Sequence, residues 1–249
     1  MTRAWDGQVL RVTYFIAGRV EQSAFESLWQ AAVGEPPEID EAKPRENTRR
    51  QAGLISDGLG LEVQTQSGRI DWFVGPWNLA NEPPQDHFGP IEPALLELNR
   101  VLMPWFGRAG LGCTRLALGM VLMSRTENRT AGYNEIMKLE PTVHFDATGN
   151  VSDFMLQLNR PIKSENADMM LNRLIKWSVA RIQTVGVSLS AQGGTLSAPS
   201  SERYYVRLEL DLSTPATVSQ APLEPAIIVP IFKELQTMGI RIANEGIAG

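Results

Sequence analysis

Apolar and polar residues alternate from Gln8 to Ile16, with Leu10, Val12, Tyr14 and Ile16 on one face and Val9, Arg11, Thr13 and Phe15 on the other. That period of two predicts a strand whose first-named face meets a core. From Glu21 to Val33 the period changes: Phe25, Leu28, Trp29 and Ala32 recur at helical spacing, and a helix lying on the sheet is expected. Gly34 to Arg50 is polar and proline-bearing, with acids first (Glu35, Glu38, Asp40, Glu41) and bases after (Lys43, Arg45, Arg49, Arg50). It reads as a loop whose acidic run partners its basic one. Leu59–Gln66 and Arg69–Val74, rich in β-branched and aromatic residues and joined by Ser67-Gly68, predict a two-residue hairpin. A Pro-, Asn- and Gly-rich loop follows to Pro90. Ile91 to Phe106 then predicts a helix, with Leu95, Leu98, Val101, Leu102 and Trp105 on one side and Pro93 in the first turn. The continuous apolar run Cys113–Met123 predicts a strand buried on both faces.

The second half opens on a polar stretch, Ser124 to Asn134, and is dominated by strand patterns. Thr142–Ala147 and Val151–Leu158 flank Thr148-Gly149-Asn150, the pattern of a hairpin. Leu171–Val187 alternates at Ile175, Trp177, Val179, Val185 and Val187, which favours a long or bent strand over a helix. Gly193-Gly194 to Ser201 reads as a polar loop. Arg203–Leu212 alternates cleanly: Tyr204, Val206, Leu208, Leu210 and Leu212 point one way, while Arg203, Tyr205, Arg207, Glu209 and Asp211 point the other. The chain closes with a helix from about Leu223 to Ala243, whose stripe is Ile227, Ile231, Leu235, Met238 and Ile242, with Gly246 as the stop. These elements predict an α+β protein, mainly antiparallel, with helices on one face of its sheet or sheets. Two ferredoxin-like halves, residues 1–125 and 126–249, would fit the order of elements, as would one continuous domain.

The segments Leu171-Asn172-Arg173-Leu174-Ile175-Lys176-Trp177-Ser178-Val179, Pro199-Ser200-Ser201-Glu202 running into Val206-Arg207-Leu208-Glu209-Leu210-Asp211, and Phe232-Lys233-Glu234-Leu235 carry a family resemblance. They resemble a sporadically distributed family of uncharacterised bacterial proteins of about this size, over roughly the last third of the chain. The resemblance implies a strand at Leu171–Val187 and a cytoplasmic bacterial protein, and it supplies no catalytic residue.

Composition changes the picture mainly by exclusion. A chain of 249 residues that is 43% hydrophobic and 20% charged can build a core. A net charge of −5 argues against a dedicated polyanion binder while leaving room for a local basic face. No run reaches the roughly 18 apolar residues of a membrane span, and no apolar targeting segment follows Met1. The lone cysteine, Cys113, precludes an internal disulfide and fits a cytoplasmic setting.

With two histidines and one cysteine, most metal and nucleophile chemistry would have to come from carboxylates and hydroxyls. His144 and Asp146, two apart on a predicted strand with Asp153 across the hairpin, could hold a divalent ion or relay a proton, though a solvated sheet face writes the same pattern. Asp86-His87 lies in a proline-rich loop. Glu209 and Asp211 share a face with Arg203 and Arg207, the arrangement of a metal-assisted phosphodiester site or of a plain ion-pair ladder; Lys138 and Glu140 are the further groups such a site would need. Nucleotide-binding glycine motifs, a G-x-S-x-G elbow and C-x-x-C are absent, and no cofactor is expected. The tract containing Trp72, Phe73 and Trp77 offers aromatic anchors for an interface. The expected function is therefore a non-enzymatic interaction or scaffold protein that pairs with itself or another protein. A metal-dependent enzyme acting on nucleic acid is the alternative.

Overall fold

A computed structural model describes residues 3–17, 22–46, 48–77, 85–108, 111–144, 146, 151–184, 187–190, 193–196, 201–216 and 221–246. Its centre is the alternating strand β1 (Asp6–Ile16), which is antiparallel to two partners. β5 (Arg69–Pro76) pairs on one side and β6 (Cys113–Thr126) on the other. Beyond β5 lie β4 (Leu59–Gln66), β3 (Thr48–Ser56) and the edge strand β2 (Ile39–Lys43). Beyond β6 lie β12 (Ser201–Ser213), β9 (Met170–Thr184) and the edge strand β7 (Met155–Asn159), and the short β8 (Ile162–Lys163) also pairs with β9. The result is one ten-stranded antiparallel sheet. A separate ribbon joins β10 (Val187–Ser190) to β11 (Gly193–Leu196).

Four helices among the described residues, α1 (Gln22–Val33), α2 (Ile91–Arg108), α3 (Arg129–Leu139) and α4 (Pro225–Glu245), all pack on the same face of this sheet. Trp29 of α1 lies on Gly53 of β3. Trp105 of α2 makes edge contacts with Tyr14 and Trp72. Gly132 of α3 rests on Val179 and Thr126, and Gly239 of α4 rests on Met120, Leu210 and Leu212. The inward residues of the strands, among them Leu10, Val12, Trp72, Leu118, Trp177 and Leu208, are completely buried beneath them. Burial of this continuous apolar layer is the main stabilising term.

In chain order both halves repeat one plan, strand, helix, a run of antiparallel strands, helix, with β2 to β5 as the run in the first half and β7 to β12, the β10–β11 ribbon included, in the second. β6 answers β1, α3 answers α1, β12 answers β5 and α4 answers α2. The two halves therefore meet after α2, near residue 110, and not at 125/126, and the sheet runs through both. Nor are they ferredoxin-like. That arrangement places two strands between its two helices, whereas four consecutively paired strands, β2 to β5, stand between α1 and α2 here.

Several expectations are corrected. Gly34–Arg50 is not a loop: it holds β2 and enters β3, and its charges close across the strands, Arg49–Asp40 at 2.6 Å and Arg50–Glu41 at 3.4 Å. The polar stretch 124–134 contains the start of α3, capped by Asn128, whose Oδ1 accepts from the Ala131 amide at 2.9 Å. Among the described residues of 142–158 no hairpin pairing is present. Residues 142–144 and 146 are irregular, residues 145 and 147–150 lie outside the described set, and Met155–Leu158 pairs with β9 instead. Gly193–Leu196 is a strand, not a loop.

Candidate functional site

The helix-free face is closed over part of its extent, where Thr13, Asp71, Met123 and Tyr205 are buried, and opens into a cleft at its middle. Its residues alternate with those of the core, so each central strand contributes a known set: Phe73 from β5, Val9 and Arg11 from β1, Gly119 and Val121 from β6, Glu209 and Asp211 from β12, Leu174 and Lys176 from β9. Arg11 stands directly across the seam from Gly119, and Gly119 stands across from Asp211. With no side chain between them, Arg11 and Asp211 flank a cleft of about 300 Å³, walled by Phe73, Val9, Val121, Leu174 and Lys176. A Cβ on Gly119 would make ordinary van der Waals contact with Arg11, 3.6 Å from its Cβ and 3.7 Å from its Nε, so the Arg11 side chain lies against the glycine without crowding it.

Charges around the cleft are unevenly matched. Glu209 accepts from Arg207 and has the Lys176 ammonium at 4.0 Å. Arg69 pairs with Asp71 at 2.8 Å, and Asp71, almost fully buried, also accepts from the Thr13 hydroxyl at 2.6 Å. Arg11 and Asp211 have no ion pair among the described residues. Arg115 donates to the Ser213 hydroxyl at 2.9 Å and lies 5.1 Å over the Phe15 ring. Its Nε, shielded from water, has no acceptor among the described residues.

At one end the loop after β5 returns to this face. Asp86 pairs with Arg203 at 2.7 Å, and Phe88 packs where a side chain on Gly7 would otherwise sit. His87 sets its ring edge toward Tyr205 at 6.4 Å and accepts from the Gly89 amide through Nδ1 at 3.3 Å. The Asp86-His87 pair is thus part of a strap over the end of the open face.

The aromatic tract divides. Phe73 lines the cleft, Trp77 lies half-buried against Gly60, and Trp72 is fully buried against Trp105 and therefore presents no surface to a partner. Glu209 and Asp211 are together at the cleft, as their spacing predicts. Lys138 and Glu140 are on the opposite side of the sheet, where Lys138 pairs with Glu135 at 2.7 Å and buried Glu140 accepts from the Trp177 indole at 2.8 Å. His144, Asp146 and Asp153 are exposed and are not brought onto paired strands. Among the described residues, no three of His, Cys, Asp and Glu stand where they could share a metal ion. The site residues that sequence reasoning passed over are Arg11, Gly119 and Lys176. Arg11 could have been found, because the alternation of β1 already turns it away from the core.

No protein-family model and no curated protein matches the chain, so the resemblance in its last third is carried by the quoted segments alone. No helix among the described residues is long and apolar enough to cross a membrane.

Proposed function

We propose that the protein is a non-catalytic binding module that docks a macromolecular partner, a second copy or another subunit included, on the helix-free face of its sheet. One observation carries the reading: four helices cover one side of the sheet, while the other holds an open cleft at the seam of the two halves. Clefts with apolar walls and a charged rim are typical of interaction sites. The single buried cysteine is in keeping with a cytoplasmic setting. The alternative of metal-assisted hydrolysis draws no support from the placement of the carboxylates, since Glu209 is already neutralised by Arg207 and Lys176.

Native mass spectrometry of gently purified protein, run beside Gly119→Trp, tests the proposal. The indole fills the cleft without entering the core. Wild-type protein is expected to retain a partner or second copy that Gly119→Trp loses, with an unchanged melting curve. Equal masses in both, or turnover of a substrate that depends on Glu209 or Asp211, would overturn it.

A further inference from the structure

We propose that the partner taken on the open face is a single-stranded nucleic acid, a narrowing that rests on the docking role proposed above. Charge is the first argument. The chain is acidic, at −5, yet the outward strand positions from β5 to β9 reverse that sign. Arg69, Arg11, Arg115, Arg125, Arg203, Arg207 and Lys176 stand there against Asp6, Asp71, Glu209 and Asp211. A face of opposite sign to its own chain marks a charged partner, because the net field would otherwise repel it.

The arrangement of these charges selects a linear anion over a compact one. Arg11, Arg115 and Arg125 have no ion pair among the described residues, and they are strung along the seam and do not converge. Arg115 and Arg125 are both on β6, about 34 Å apart at the rise of an antiparallel strand. Arg11 projects between them, opposite Gly119. A polyanion backbone laid along β6 would meet each in turn.

Aromatic surfaces select nucleic acid over an acidic peptide. Phe73 borders the cleft beside Arg11, and Phe15 lies under Arg115 on the same face. Interleaved cations and flat rings on a sheet are what unpaired bases stack on, whereas a duplex keeps its bases out of reach.

Fluorescence anisotropy of the full chain with a labelled twelve-residue oligothymidylate tests this. With three phosphates engaged, affinity is expected to fall about 20-fold between 50 and 200 mM salt, from a slope of about −0.7 per phosphate. Arg11→Gln and Arg115→Gln should each flatten that slope by about 0.7. Phe73→Leu should weaken binding about 10-fold and leave the slope unchanged. Thermal melts establish that each variant is folded. Absence of binding, binding indifferent to all three variants, or equal displacement by a poly-aspartate peptide or by duplex DNA would overturn the proposal. If the oligonucleotide fails while wild-type protein still holds a partner that Gly119→Trp loses, this proposal falls and the docking role stands; if Gly119→Trp loses nothing, both fall.

Discussion

Cys113 and Tyr14 sit together at the covered end of the seam. Burial pushes the Cys113 thiol up to about 12, and burial together with the nearby thiol also raises the Tyr14 phenol. Both groups are held neutral in the fold. Their contribution to stability is complete below the unfolded thiol value of 9.0 and is lost as pH rises from there toward 12. Urea midpoints should therefore fall between pH 9 and 11, and Cys113→Ala should flatten that fall. On the opposite face Asp71 is 1% exposed and depends on the Thr13 hydroxyl. Thr13→Val keeps the shape and removes the donor, so a loss of about 1–3 kcal/mol in urea denaturation is expected. Such partnerships were not legible beforehand. Alternation places Thr13 and Asp71 on outward positions, and only the register that sets them side by side reveals a buried carboxylate. The same alternation gave Glu209 and Asp211 their shared face correctly, because a strand fixes facing within itself, but it could not say that Trp72 would lie under α2.

Elements with one strongly apolar face were readable from the chain, and those held by other means were not. β4, β5, α2 and α4 match their predicted spans within a few residues, since each buries a regular stripe. α3 buries only Gly132, Tyr133 and Ile136, too few to write a period. β2 is almost wholly exposed and is held by its ladder and ion pairs. The hydrogen bond from Arg49 keeps the Asp40 carboxyl below its ordinary value, so its support is present above 3.8 and lost as pH falls below that. Amides of Ile39–Lys43 should thus lose hydrogen-exchange protection in acid before those of β1 and β6, and Asp40→Asn should give the same fraying at pH 7. The end of α4 makes a sharper case. Gly246 has a φ of +73°, and a Cβ there would overlap the Leu139 carbonyl oxygen at the end of α3. Gly246→Ala should cost at least about 2 kcal/mol. At this chain length that corresponds to a fall in Tm of about 4–8 °C by calorimetry.

At the scale of the molecule, the two halves share one apolar layer and one sheet, joined by the long β1–β6 ladder. Fragments cut near residue 110 would each expose a strand that needs its partner, and they are expected to be unstable apart. Mixing them should restore the circular dichroism spectrum of the intact chain; two fragments that fold independently would contradict this account. The repeat of element order was hidden from the sequence because it resides in topology and not in recurring residues. It also explains why the middle of the seam can be lopsided. Two identical chains meeting about a twofold axis must set like opposite like wherever the axis crosses, two arginines in collision or two glycines with nothing to offer. A single chain that contains both halves escapes that rule, and with Arg11 facing Gly119 it places a lever beside an empty seat.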